Sequence, residues 1–424
     1  MEFTMVVLWG FLFLWLTQKI NKKWALGLPT WVFPAFLAVK FSLGFILFLL
    51  YTYYYKERSE ADIFKYFDDA TILFNYMRID PSSVGSIMWH SELPLELAPR
   101  MKAWYSGGGF NLFDSSQVMI KLHILIRLVS FGSYHVHSMI FAFASFVGCI
   151  TLLRVLIKNA KLNPWLVLVC LFMPSFQLWS SGPLKESVSV FLILASISSY
   201  YKFIIHQKKG FFIWSILPLV PLYFFKPFYA LLLPPAMLLS FIFGRYGMKG
   251  VFAFILMGFV FIGIADVFLG SLSPIDIMAT KQSNYFDHFD FKSAQSMSGI
   301  PPLEPNLHGM VRLLPHVLLN AFLLPLPWES LNPLYLASAV ENMIVLGALV
   351  TTLIFCFKRG INDQTVFVVF LIGYAIMVYL LLGFTCPVIG SLMRFKSCVE
   401  VFVPLAALIA SAPSFEKSAN KDFA

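Results

Sequence analysis

Apolar residues run along this chain in long blocks separated by short polar clusters, with no sustained two-residue alternation. Windows long enough to cross a hydrocarbon core, about 20 residues or somewhat fewer for thin spans, fall near 3–20, 30–51, 136–157, 164–179, 186–205, 211–224, 228–243, 251–270, 338–357, 365–384 and 398–412. Backbone groups in lipid must be satisfied within their own segment, and the alternation of barrel strands is missing, so the pattern predicts helices. The expected fold is all-α, a polytopic transmembrane bundle of about eleven spans, forming a single membrane domain over 1–424. The first block, Phe3 to Thr17, lacks a basic leader and a small-residue cleavage site and reads as a retained span.

The polar clusters give the bundle a direction. Lys19, Lys22 and Lys23 follow the first block, Arg154, Lys158 and Lys161 the third, and Lys202, Lys208 and Lys209 the fifth. Arg245 with Lys249, Lys358 with Arg359, and Lys417 with Lys421 continue the series, so every second connection is basic. Basic loops are retained in the cytoplasm, which predicts that the alternate connections face outward from a cytoplasmic membrane. These include the two long ones, 52–135 and 271–337, and most acidic residues lie there. Within them 117–131 and 312–326 are apolar but interrupted, by Lys121, His123 and Arg127 or by Pro315 and Pro325, and read as interfacial helices on the outer surface.

Composition agrees with a lipid solvent. Of 424 residues 59% are hydrophobic and 12% charged, with a mean hydropathy of +0.77, too little charge to solvate a globular surface of that size. The net charge of +9 is scattered between apolar blocks and does not form a basic helix, which argues against nucleic acid as a partner. Five cysteines offer neither a CxxC pair nor metal-ligand spacing, and Cys386 and Cys398 flank one loop without suggesting a disulfide framework.

Candidate chemistry collects in the outward connections. In ERSEADIFKYFDDATILF, Asp62, Tyr66, Asp69 and Leu73 share one face if the segment is helical, placing carboxylates beside a phenol, with Asp68 adjacent. Such a group suits a general base toward a hydroxyl, while an acidic helix that only solvates its loop gives the same spacing. In MPSFQLWSSGPLKESVSVF, Lys185 and Glu186 open a helix beside Ser180, Ser181 and Gly182, a pattern that fits an anion pocket at a helix N-terminus or a snorkelling lysine with a capping glutamate. Arg394 and Lys396 precede the final apolar block, where they suit either a lipid phosphate or interfacial anchoring. Arg312 and Glu329 in the second long loop complete the candidate substrate contacts, and Trp328 suits an interfacial belt or a sugar platform. Asp287, His288 and Asp290 in NYFDHFD make a divalent cation conceivable as cofactor, but no metal ligands are assigned. His135 and His137 sit two apart at a helix start and diverge, and Gly107 to Gly109 read as a turn without the Lys-Ser/Thr of a phosphate loop.

The order of ADIFKYFDDA, PSFQLWSSGPLKES, LPLPWESLNPLYLASAVEN and MRFKSCVEVFVPLAAL resembles the polytopic membrane glycosyltransferases of the GT-C class, in the branch of protein O-mannosyltransferases and aminoarabinose transferases. The resemblance implies a polyprenyl-phosphate-linked sugar as donor, a glycan, lipid or protein as acceptor, and a catalytic Asp in the first outward loop. Asp62 with Tyr66 best matches that pattern, and Asp68 and Asp69 compete with it; the adjacent Asp-Glu pair usual in the family is absent at Asp62. Lys185 and Arg394 would then stabilise charge on the departing phosphate. A polymerase of polysaccharide repeat units shares these gross features. A transporter or flippase of an anionic or lipid-linked substrate should bury charges midway along its spans, where Lys40 and Asp266 are nearly the only ones on offer.

Overall fold

The computed structural model describes residues 2–24, 26–54, 58, 61–104, 114–288, 297–328, 332–358 and 360–412. Among them the regular structure is helical apart from an isolated bridge between Met297 and Val388. In chain order the α-helices are α1 (Glu2–Trp24), α2 (Val32–Leu49), α3 (Asp62–Ile79), α4 (Ser83–Gly85), α5 (Ser115–Ser130), α6 (Tyr134–Ala160), α7 (Pro164–Leu171), α8 (Pro174–Trp179) and α9 (Lys185–His206). They continue with α10 (Lys209–Ile216), α11 (Leu219–Phe225), α12 (Pro227–Leu269), α13 (Pro274–His288), α14 (Leu307–Leu323), α15 (Pro333–Lys358), α16 (Asp363–Thr385), α17 (Ile389–Glu400) and α18 (Phe402–Ser411).

Seven helices among the described residues are long and apolar enough to cross a membrane: Glu2–Trp24, Val32–Tyr54, Tyr134–Ala160, Lys185–His206, Pro227–Leu272, Pro333–Cys356 and Asp363–Thr385. Where the eleven sequence windows differ from these continuous helices, the reasons are local. The window 164–179 is broken at Phe172 and Met173 into α7 and α8, of 8 and 6 residues, each far short of a core about 30 Å thick at about 1.5 Å per residue. The window 211–224 falls within the shorter apolar helix Lys209–Phe225, whose hydrogen-bond ladder is interrupted at Leu217 and Pro218, where proline removes a helical N–H. Windows 228–243 and 251–270 run together as α12, whose backbone turns at Gly247, at φ 60° and ψ −147°, a conformation open to glycine because it has no Cβ. The last window is divided at Val401 between α17 and α18. The two stretches expected to lie at the interface are both helical, as α5 and α14.

The chain divides into two compact units, Met1–Val155 with Pro174–Leu231, and Leu156–Met173 with Leu232–Ala424. In the first, α3 packs on α5, α2 on α1 and α8, and α9 on α10 and α11. One of its apolar clusters joins Leu47, Ala61, Ile63, Phe64, Tyr134 and Leu184, so the start of α3, the end of α2 and the residue before α9 are held together. In the second, α16 lies against α13, α14, α17 and α18, and α18 also packs along α15. There Ile275, Met278, Ile300, Leu303, Met310, Leu313, Val317 and Phe384 gather the second long connection onto the end of α16. All five cysteines are free.

Gly44 marks the tightest approach in the first unit. A Cβ there would lie 2.5 Å from the Ser181 carbonyl oxygen and 2.8 Å from Ser138 Oγ. The Gly44→Ala variant is therefore expected to lose on the order of 2 kcal/mol through forced backbone displacement, read as a lower melting temperature of the full-length protein in detergent. An unchanged melting temperature would mean that α2 and the Ser181 turn do not meet as described.

Candidate functional site

The polar site of the first unit is built around a break in the chain. After α8 ends at Trp179, residues 180–184 turn without helical structure and α9 starts at Lys185. Every residue from Ser180 to Ser187 is buried, so the turn must find its polar partners inside the protein. Ser180 Oγ donates to Phe176 O at 2.6 Å and Ser187 Oγ to Gly182 O at 2.6 Å, while the Ser180 carbonyl accepts from Ser145 Oγ at 2.6 Å. Serine in this number allows the turn to close locally without external water.

At the far side of the turn the Lys185 ammonium donates to Ser115 Oγ at 2.9 Å and Ser116 Oγ at 3.2 Å. It lies 4.9 Å from the centre of the Tyr66 ring, a cation over an aromatic face. Asp62, Asp114, Glu186 and Lys226 all act on its charge. Glu186 is fully buried and meets Lys226 Nζ at 3.3 Å, so it holds that lysine in place. The two serines stand at the start of α5 because Asp114 accepts from Ser116 N at 2.8 Å and caps the helix. Lys185 thus stands at a helix start among serine hydroxyls, with Lys226 brought near by Glu186.

The three aspartates of α3 separate sharply. Asp62 is the first residue of the helix, keeps 33% of its side chain exposed, and has Lys65 Nζ at 3.7 Å. Asp68 is held bidentately by Arg58, with Nε to Oδ2 at 3.0 Å and Nη2 to Oδ1 at 2.7 Å. Asp69 is fully buried and accepts from the backbone N–H groups of Lys102, Ala103 and Trp104, the shortest at 2.8 Å from Ala103. Burial pushes the Asp69 carboxyl above the ordinary carboxylate range, while the three backbone donors pull it back down. With its oxygens engaged in tying the 102–104 segment to α3, Asp69 holds structure, and Asp62 is the most exposed of the three.

The other expected contacts fall elsewhere. Arg312 forms an exposed pair with Glu304 at 3.6 Å in the second unit. Lys396, expected to meet a lipid head group, is instead buried and donates to Leu324 O at 3.1 Å and to Asn342 Oδ1. Arg394 is half-buried on the same helix. Glu329, Asp290, Gly107 to Gly109 and the side chain of His288 lie outside the described residues. Among the described residues no group of three or more His, Cys, Asp or Glu side chains is arranged to hold a metal ion.

Several residues of this region carried no role in the sequence reading. Lys226 was an isolated cation between apolar blocks. Ser115 and Ser116 were legible only as residues after an N-cap aspartate, in FDSSQ. His135 and His137 do diverge, but His137 finds a partner: His123 Nδ1 and His137 Nδ1 are 2.8 Å apart and His137 Nε2 is 2.7 Å from Ser130 Oγ. Burial, and then the neighbouring His137, drive His123 well below the ordinary histidine range, so it is neutral in the fold.

No family model, curated protein or solved structure matches the chain.

Two measurements test this account. Asp69→Ala strands three buried backbone donors and is expected to cost on the order of 3 kcal/mol, seen as lost folded yield, whereas Asp62→Asn leaves the yield unchanged; equal yields for both would remove Asp69 from the structural role. The unfolded chain protonates His123 below about pH 6.5 and the folded chain does not. Stability therefore falls as pH drops through that value, and His123→Asn makes the fall shallower in melting curves taken from pH 8 to pH 5. A variant with the wild-type slope would contradict it.

Proposed function

We propose that the protein is a membrane glycosyltransferase that moves a sugar from a polyprenyl-phosphate donor to a hydroxyl of a glycan, lipid or protein acceptor. The observation that carries the proposal is the joint placement of Lys185 and Asp62. A buried ammonium opens α9 among serine hydroxyls, and a half-exposed carboxylate opens α3 within its electrostatic reach. Those are the two charges the reaction needs. Asp62 takes the proton of the acceptor hydroxyl as its oxygen bonds to the anomeric carbon, and the bond from that carbon to the phosphate oxygen breaks. The polyprenyl phosphate departs with the bonding pair, and Lys185 with Lys226 stabilises the charge that collects on it. Tyr66 and the Ser115 and Ser116 hydroxyls hold the lysine in register and offer further polar contacts to the sugar or phosphate.

The sidedness belongs to the same proposal. With the basic connections in the cytoplasm, the segment from 52 to 135 and the 180–184 turn lie at the outer face of the cytoplasmic membrane, and the broken windows complete about eleven crossings in pairs of short helices. Arg394 in the second unit is assigned to lipid phosphate on that face. A donor delivered as a lipid phosphate requires no nucleotide-binding domain.

A second reading, a transporter of an anionic substrate, draws on one observation. Glu341, Lys396 and Glu400 are all buried in the apolar helices of the second unit, and both carboxylates act on the Lys396 charge. Intramembrane charge of that kind is a feature of transport pathways.

The test is a comparison of lipid-linked sugars and surface glycans in cells carrying wild-type, Asp62→Asn or Lys185→Met protein. Both variants are expected to reach the membrane in normal amount, to lose transfer by at least about a hundredfold, and to accumulate an unused polyprenyl-phosphate monosaccharide. Accumulation of a lipid-linked oligosaccharide would assign a repeat-unit polymerase instead. Unchanged glycans in both variants would sink the transferase reading.

A further inference from the structure

Lys40 lies in α2, is fully buried, and takes no part in the transfer chemistry above. Its ammonium donates to Ser180 Oγ at 2.8 Å and to the Ser180 carbonyl oxygen at 3.4 Å, and the Phe176 ring centre is 6.0 Å away. The same carbonyl already accepts from Ser145 Oγ on α6. These contacts fall at the carboxyl end of α8, where the last C=O groups lack helical partners and carry partial negative charge. A few residues on, α9 opens with Lys185 and presents the opposite, positive end of a helix.

One buried turn therefore brings the negative end of one helix close to the positive end of the next. An anion attracted to Lys185 is opposed by the α8 carbonyls unless that end is neutralised, and in a buried setting water screens neither effect well. A second ammonium placed on the α8 end removes the opposition. It also locks Ser180, and Gly44 on the same helix as Lys40 lets the Ser181 carbonyl press against α2. The turn that carries Lys185 is thus fixed on α2 by charge at Lys40 and by close packing at Gly44.

We propose that Lys40 is a positioning residue for an anionic lipid head group at Lys185: it cancels the negative end of α8, locks the 180–184 turn, and so makes the site select a lipid phosphate over the uncharged lipid. The inference rests on the reading that Lys185 receives a phosphate. It adds a charge-selecting role for a lysine whose ammonium meets the back of the turn.

The experiment measures binding of undecaprenyl phosphate and of uncharged undecaprenol to the full-length protein in nanodiscs, for wild type, Lys40→Met, Lys40→Arg and Lys185→Met. Lys40→Met is expected to weaken undecaprenyl phosphate binding about tenfold, to leave undecaprenol binding unchanged, and to be restored by Lys40→Arg. If Lys40→Met does not accumulate as folded protein, Lys40→Gln, which keeps a donor and removes the charge, is read by the same criteria. Phosphate binding within twofold of wild type in the Lys40 variant, with binding lost in Lys185→Met, overturns the inference and leaves the phosphate site standing. Equal weakening for both lipids reduces Lys40 to a strut and overturns it as well. Wild-type binding in Lys185→Met removes the phosphate site itself, and the role of Lys40 with it.

Discussion

A chain that leaves the helical state inside an apolar body must still satisfy every backbone N–H and C=O, and residues 180–184 carry that constraint for the first unit. Five serines and a lysine answer it: Ser180, Ser181 and Ser187 bond within the turn region, Ser145 and Lys40 reach in from α6 and α2, and Ser189 returns to the Lys185 carbonyl. Together the bonds tie the turn to α2, α6, α8 and α9. The position of Lys185 is therefore set by the same contacts that keep the break from being a cavity of unpaired dipoles. Replacing the break by a continuous helix would spare these polar groups, and it would also remove the free helix start on which the anion site depends.

The acidic helix α3 shows how one run of carboxylates divides between structure and chemistry. Asp69 faces inward and collects three backbone donors from 102–104, which fixes this connection alongside its buried Ala103 and Trp104 side chains. Asp68 takes Arg58, whose guanidinium also lies 4.2 Å from the centre of the Phe64 ring, so the approach to the helix is clamped by charge and by an aromatic face. Asp62 comes at the first turn, where solvent still reaches it. Of the three aspartates Asp62 is the most accessible, which is what the proposed base requires.

The sequence made the helical membrane body legible, and with it the pairing of Asp62 with Tyr66 and of Lys185 with Glu186, because each follows from local spacing; the approach of Tyr66 to Lys185 depends on a contact between distant segments. Hydropathy measures composition, though, and is blind to the continuity of a helix. It gives 164–179 and 211–224 as single windows and does not register that Met173 with Pro174, and Leu217 with Pro218, interrupt the helical hydrogen-bond ladder inside them. Spacing along α3 could place Asp62 and Asp69 on one face, but it could not say that seven residues of climb take the second from the accessible end to the buried middle. Lys226 and the His123 and His137 pair depend on contacts between distant segments, and nothing near them in the chain announces those partners.

Lys40 and Lys396 are a related case, since each stood in the sequence as a charge in apolar surroundings with a functional use open to it. The structure gives them one physical role in separate units. Lys40 bonds to Ser180 past the end of α8, and Lys396 bonds to the Leu324 carbonyl past the end of α14, where Asn342 Nδ2 also donates to Leu323 O at 3.1 Å and Leu324 O at 2.9 Å. Both cap the negative end of a helix that stops inside the protein, which is where a buried cation finds its best compensation. Lys185 differs in the nature of its partners. Serine hydroxyls can turn to accept from an ammonium or donate to an incoming oxyanion, whereas a backbone carbonyl can do only the first. Lys40 divides its bonds between the Ser180 hydroxyl and carbonyl, and Lys396 between the Leu324 carbonyl and the Asn342 amide oxygen, whereas Lys185 meets two serine hydroxyls, the partners that the proposed phosphate site requires.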